Sequence, residues 1–423
     1  MQSRHSPSES WVLKRSGVIA YRSEPFDPRT PHHRHGLGLG IALAAAVLLG
    51  FGANALSAHG FKRAAVGSAS AATPETANLT SGPAVTYISF PSRPGPAALQ
   101  ARLDDLAKRY REPVGIAVTD VSAGWVASVD AADSYPQQSV SKLWVVLSVF
   151  DAIDQGKLKL TDEVRLDQSD RSVFFQPLAS RIGKDGYVTT IEDLVRRALI
   201  ESDNAANDRL IKAVGGVAVV TATIERKGLA GIAVGATEHE LQARTAGMMW
   251  REEYGRGNAF KEARALLPDV VRDVALKNYL DKPGDGASPL AIATALTALR
   301  RGQLLSANST LTMLGIMSEA TTGRMRLKGG LPDGWSIAHK TGTGPDWKTG
   351  SVGINDVALI TAPDGHTYAV AVMMRQTRQG IPARLAFMQA VTRAVVAAWQ
   401  DAHGGPTVKT QVAAVSSRAS AAD

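Results

Sequence analysis

Within residues 97–402, strand patterns stand only at the two ends and helical patterns fill the middle, and this order constrains the fold more than any single motif. Leu99, Leu103, Leu106 and Tyr110 recur at i, i+4, i+7 and i+11, one face of a helix. Val114, Ile116 and Val118 then alternate as a strand, and 125–129 can make a second. From Ser139 to about Leu314 helical patterns dominate. Strand signals return at 335–340, 357–361 and 368–373, with a Pro363-Asp364-Gly365 turn between the last two, and an apolar helix over 383–399 closes the region. Such an order predicts an α+β fold: one antiparallel sheet formed from both chain ends, flanked by helices, with an inserted helical lobe. Alternating βαβ units would need a different order. No internal repeat is present.

The first 96 residues read differently. Residues 1–35 form a basic leader, and 36–58 contain no charged side chain, which is long enough for a membrane-spanning helix. The basic flank predicts that the leader stays cytoplasmic. An uncleaved anchor suits the length of this segment and of its leader. A cleaved signal suits the small residues of Ala53-Asn54-Ala55. Both readings place the rest of the chain in the periplasm, tethered to the inner membrane or released. Residues 59–96, rich in Ala, Ser, Thr, Gly and Pro, read as a flexible linker, and 403–423 as a disordered tail.

The net charge of +8 raises the question of a nucleic-acid partner. Its distribution argues against one: 96–402 carry only +2, the remainder belongs to the ends, and no nucleic-acid-binding signature accompanies it. Zero Cys excludes thiol catalysis, disulfides, Cys-ligated zinc and iron–sulfur clusters. His239-Glu240 begins like H-E-x-x-H, but Ala243 stands where the second ligand is required, so no metal site is expected, and no cofactor. The expected state is a monomer acting on a small molecule.

Three short motifs carry the chemistry. Ser139-Val140-Ser141-Lys142 is S-x-x-K at the start of a helical run, which puts the hydroxyl and the amine on one face near a helix N-terminus. Ser202-Asp203-Asn204 is S-D-N in a helix–helix turn, and Lys340-Thr341-Gly342 is K-T-G ending a strand. Each alone has an ordinary explanation as a cap, a solvated lysine or an edge turn. Their conjunction in this order is the set of class A β-lactamases and penicillin-binding proteins.

The chain therefore resembles class A serine β-lactamases, within the penicillin-recognising serine hydrolases, over about 97–402. The text around Thr321-Thr322-Gly323-Arg324-Met325-Arg326-Leu327 is similar as well. Glu238 bears on hydrolysis: it opens Glu238-His239-Glu240-Leu241-Gln242, 36 residues after Ser202, in the register of the family's Ω-loop glutamate. The resemblance implies Ser139 as nucleophile, with Lys142, or Glu238 through a water, as base. It implies Ser202 as proton relay to the leaving nitrogen and Asn204 as partner of the substrate's side-chain amide. Lys340, Thr341 and Arg326 would bind the substrate carboxylate. Glu238 and Gln242 would hold the deacylating water, and backbone N–H groups of Ser139 and Thr343 the oxyanion. Phe174 or Phe175 would wall the entrance.

Departures from the pattern are specific. Gln242 replaces the usual Asn, His239 a common Pro, and Ala236 the Arg that anchors the Ω-loop. An insertion at about 243–286 lengthens the interval from Glu238 to Lys340 to 102 residues. The resemblance implies β-lactam hydrolysis through an acyl-enzyme. A DD-peptidase-like acyl-transferase on cell-wall peptides and a slowly deacylating lactam or muropeptide sensor stand as alternatives.

Overall fold

The computed structural model describes residues 88–348 and 350–404. The leader, the apolar 36–58 segment, most of the linker and the tail beyond Gly404 lie outside them. The main sheet runs, from one edge to the other, Arg93–Pro94, Trp125–Val129, Val114–Asp120, Thr367–Thr377, Gly350–Thr361 and Ser336–Gly342, with Asp346–Trp347 pairing separately to Gly350–Thr361. Both chain ends thus build one sheet, as the strand order predicts.

Alternation along the central strands builds two cores. In Thr367–Thr377, Ala369, Ala371 and Met373 face one core, while Tyr368, Val370, Val372 and Met374 face the other. The second core is covered by the helices Ala97–Tyr110 and Ile381–His403, through Leu99, Leu103, Phe387, Val391 and Val395. By length and composition Ile381–His403 could cross a membrane, but here its apolar face covers the sheet. The first core joins the sheet to the helical lobe through Lys142–Asp154 and Pro289–Arg300, with Leu143, Leu147, Phe150, Ile292 and Leu296 fully or almost fully buried.

Three expectations are corrected. The sheet is not wholly antiparallel: Arg93–Pro94 pairs parallel with Trp125–Val126. That strand belongs to the stretch read as linker. Gly95 brings it close, for a Cβ there would lie 2.9 Å from the Trp125 ring. The inserted lobe is not purely helical, since Glu163–Leu166 pairs with Tyr187–Thr190 and Tyr135–Pro136 with Gly286–Ala287. The two long strands also begin or end well beyond the expected bounds. Buried polar residues hide their length: Asn355 Nδ2 donates to the carbonyls of Pro136 and Gln137, and Asp356 pairs with His339 Nδ1 at 2.9 Å.

The 243–286 stretch completes the helix Glu238–Thr245 and adds Ala259–Ala265 and Asp269–Asp281. Leu276 and Tyr279 pack with Leu241 and Val352, and Phe260 packs with Val173 and Ala243. These contacts fasten the insertion to the segments that carry Gln242 and Glu238.

Candidate active site

Ser139 lies in a 3-10 turn, Gln138–Ser141, that runs directly into the helix Lys142–Asp154. Three residues further on, Lys142 returns to the same face, and its Nζ stands 2.6 Å from Ser139 Oγ. The ammonium is fully buried. It donates to Asn204 Oδ1 and to Glu238 Oε1, both at 2.8 Å. An ammonium without such partners would be expelled from the interior or lose its proton. Two of the motifs and the Ω-loop glutamate therefore meet on one nitrogen.

The S-D-N turn is set by backbone geometry. A π-helical turn, Arg197–Glu201, ends at Ser202 in the left-handed region (φ 67°), and Asp203 then caps Asn204–Val214 by accepting from Ala206 N at 2.9 Å. Asp203 also accepts from Leu178 N at 2.6 Å, and its burial pushes its carboxyl pKa up. This turn aims Ser202 at the strand Ser336–Gly342, where Lys340 Nζ donates to Ser202 Oγ at 2.8 Å. Lys340 is fully buried, and burial, reinforced by the charge of Lys142, holds its pKa well below the ordinary lysine range. Thr341 Oγ1 lies 2.9 Å from Thr322 Oγ1.

Gly342 is required by close packing. A Cβ there would lie 2.3 Å from the Gln137 carbonyl, so the strand must pass against the turn that carries the nucleophile. The glycine keeps the K-T-G strand at that distance.

Two expected binding groups are largely spent inside the protein. Asn204 accepts from Lys142 and donates through Nδ2 to the Val173 carbonyl at 2.7 Å. Arg326 Nη1 donates to the carbonyls of Gly342 and Asn355, and Nη2 to Thr343 Oγ1 at 2.6 Å. Burial pushes this guanidinium's pKa down. Arg326 thus braces the end of the K-T-G strand, reaching the cleft beside Thr343.

Glu238 opens the helix Glu238–Thr245, which Thr237 caps. Ala236 supplies no anchor, and Asp208 does the anchoring from the neighbouring helix. Its Oδ1 accepts from Glu238 N at 2.6 Å, and its Oδ2 lies 2.9 Å from His239 Nδ1 and 2.6 Å from Ser172 Oγ. Sequence reasoning did not single out Asp208. The available signal was its position four residues after Asn204, hence on the same helix face.

A second unforeseen group lies under the nucleophile. Gln138 precedes Ser139 with φ 51° and is buried. Its side chain accepts from Gln242 Nε2 at 2.9 Å and donates to Tyr279 OH at 2.5 Å. Tyr279 donates to Asp285 Oδ1 at 2.9 Å, and Asp285 Oδ2 accepts from Gln138 N at 2.6 Å. The insertion thereby supports both the strained residue beside the nucleophile and Gln242. Full burial pushes Asp285 up to about 7.

Ser139, Ser202, Asn204, Glu238, Gln242, Arg326, Thr341 and Thr343 line one cleft of about 550 Å³, the size of a small-molecule site. Lys142 and Lys340 reach it from below through the two serines. Phe174 and Phe175, each about half exposed, both stand at its wall.

The fold and this constellation define a serine hydrolase of the penicillin-recognising class. The Beta-lactamase enzyme family profile matches residues 98–399, and the chain belongs to that family. Among curated relatives, β-lactamase VEB-1 of Pseudomonas aeruginosa is 26% identical over 282 residues, covering 66% of this chain and 83% of its own. The extended-spectrum β-lactamase PER-1, also of Pseudomonas aeruginosa, is 26% identical over 296 residues, 70% of this chain and 85% of its own. Among solved structures, a β-lactamase from Chitinophaga pinensis superposes with a TM-score of 0.59 at 26% identity, covering 71% of this chain and 98% of its own. A variant of the last common ancestor of Gram-negative bacteria β-lactamase class A gives 0.58 at 28% identity, with 73% and 100% covered.

Proposed function

We propose that this protein hydrolyses β-lactams through an acyl-enzyme on Ser139. The observation that carries the reading is the contact of Lys142 Nζ with both Ser139 Oγ and Glu238 Oε1. In acylation, Ser139 Oγ attacks the lactam carbonyl as its proton passes to Lys142, while Lys142 passes one to Glu238. The C–N bond breaks, and Ser202 gives its proton to the departing nitrogen and takes one from Lys340. Glu238 releases the proton it received to solvent, from which Lys340 regains its own. Lys340, 2.8 Å from Ser202 Oγ, stabilises the serine as it does so. Backbone N–H groups of Ser139 and Thr343 would hold the oxyanion. Lys340 and Thr341, beside Thr343 and Arg326, would take the substrate carboxylate.

In deacylation, Glu238, again a carboxylate, takes a proton from a water whose oxygen attacks the ester, and Ser139 leaves with a proton returned through Lys142. A glutamate anchored through Asp208, together with Gln242 fixed on Gln138, favours hydrolysis over a long-lived adduct. The 36–58 segment would deliver this domain to the periplasm, where lactams arrive, tethered or released.

Mixing the purified protein with a chromogenic cephalosporin tests the reading. Turnover that Ser139→Ala abolishes, and an acyl adduct that Glu238→Gln accumulates by mass, are the expected results. A stable adduct on the unmodified protein without turnover would move it to the sensor class. Full turnover in Glu238→Gln would mean that the base lies elsewhere.

A further inference from the structure

Beyond the Ser139–Lys340 cleft, a small side arm of about 30 Å³ opens between Phe174, Gln242, Pro345 and the insertion. Phe174, Gln242, Arg264, Pro345 and Asp346 line both spaces, so the two adjoin. The arm holds room for a group the size of one or two waters or a carboxylate, and too little for a ring.

Two guanidiniums from the insertion face it. Arg264, on Ala259–Ala265, lies over the Phe174 ring, its central carbon 5.8 Å from the ring centre. Arg272, on Asp269–Asp281, lies over Trp347 at 3.2 Å. Contact with an aromatic face leaves guanidinium N–H groups unspent. Among the described residues neither makes an ion pair or a side-chain hydrogen bond. Lys348 pairs with Asp269 and Asp273, and Trp347 Nε1 donates to Asp273; Asp346, which lines the arm, accepts from Ser351 and is the one acidic group among its lining residues. Burial, and after it the charge of Arg272, pushes the Arg264 pKa down.

We propose that this arm is a subsite for an anionic group, a carboxylate on the acyl side chain of the lactam, held by Arg264 and Arg272. The inference rests on the lactamase reading. With the ring carboxylate at Lys340 and Thr341, the acylamino side chain would extend away from them, and none of Ser202, Thr341 and Arg326 lines the arm. A carboxylate there would replace water on two partly desolvated guanidiniums, where paired N–H donors favour it most.

The test compares α-carboxybenzylpenicillin with benzylpenicillin, which lacks only that carboxylate. In Arg264→Gln/Arg272→Gln, kcat/KM for the carboxy compound should fall about tenfold further than for benzylpenicillin. Arg264→Lys, which keeps the charge, should restore part of the preference. In the unmodified protein, added salt should erode the preference as well, a readout that needs no variant. Equal losses for both substrates, or a salt-independent ratio, would overturn the subsite while leaving hydrolysis intact. No acylation of the unmodified protein by benzylpenicillin would remove the lactamase reading and the subsite together.

Discussion

Two buried ammonium groups underlie the cleft, and their surroundings differ. Lys142 has a carboxylate, an amide oxygen and a hydroxyl within 2.8 Å. Among the described residues, Lys340 has only the Ser202 hydroxyl and its neighbour's carbonyl, at 2.8 and 3.0 Å. One half of the cleft is neutralised by the protein itself and is built for moving protons. The other keeps a positive charge that no carboxylate among the described residues balances within ion-pair distance, and an anionic substrate would supply one. Stability and function are therefore coupled differently at the two sites.

The sharpest way to break this comparison is to remove one member from each half. Glu238→Gln should slow deacylation by about a thousandfold, the span of general-base catalysis. It should also lower stability by about 3 kcal/mol, because Lys142 then stays buried without its carboxylate. Lys340→Met should cost a comparable factor in kcat/KM while leaving the melting temperature unchanged or raising it by the equivalent of about 1 kcal/mol, since an uncompensated buried charge is exchanged for an apolar chain. Kinetics with thermal melts on both variants decide it. A Lys340→Met protein as destabilised as Glu238→Gln would show that the two lysines are equally compensated.

The pH profile sharpens the same contrast. Because Lys340 is held well below the ordinary lysine range in the free protein, capture of an anionic substrate should weaken as pH rises through that lowered value. Lys340→Arg, charged at all accessible pH, should shift the alkaline limb of kcat/KM upward even if its maximum falls several-fold. Stability has the opposite sign. The native state holds fewer protons than the unfolded chain between the lowered pKa and about 10.4, so the unfavourable contribution of Lys340 shrinks as pH rises. An alkaline limb that does not move in Lys340→Arg would assign it to another group.

The halves also differed in how far the sequence disclosed them. Ser139 and Lys142 share one turn, and Ser202 to Asn204 and Lys340 to Gly342 are contiguous, so local geometry alone made those pairs legible. The two-ended sheet was legible for a similar reason, because alternation survives in its strands. What lay hidden depends on distant segments meeting. Asp208 replaces a missing Ω-loop anchor from another helix. Gln138, Tyr279 and Asp285 are ordinary polar residues until the chain folds them together. Arg326 and Asn204 were visible as candidates, but their internal partners were not. The strand at Arg93–Pro94 was masked by a Pro- and Gly-rich composition that reads equally well as a linker.

The smallest predicted effect concerns the support beneath the nucleophile, where a buried acid rather than a buried base is stressed. Asp285 titrates near 7 when folded, against about 3.9 in the unfolded chain. Between these values the native state holds more protons, so this group's contribution to stability is full below about 4 and is lost as pH rises towards 7, with a slope of at most about 1.4 kcal/mol per pH unit. Asp285→Asn cannot ionise, yet it can still accept from Gln138 N or Tyr279 OH, and it should flatten that slope in melts taken from pH 4 to 8. Tyr279→Phe removes a donor that favours the carboxylate, so it should extend the loss to higher pH. Since Tyr279 also holds the Gln138 amide that receives Gln242, the same variant should slow deacylation about tenfold while acylation changes less. An unchanged deacylation rate in Tyr279→Phe would separate the insertion from the chemistry and leave it a purely structural addition.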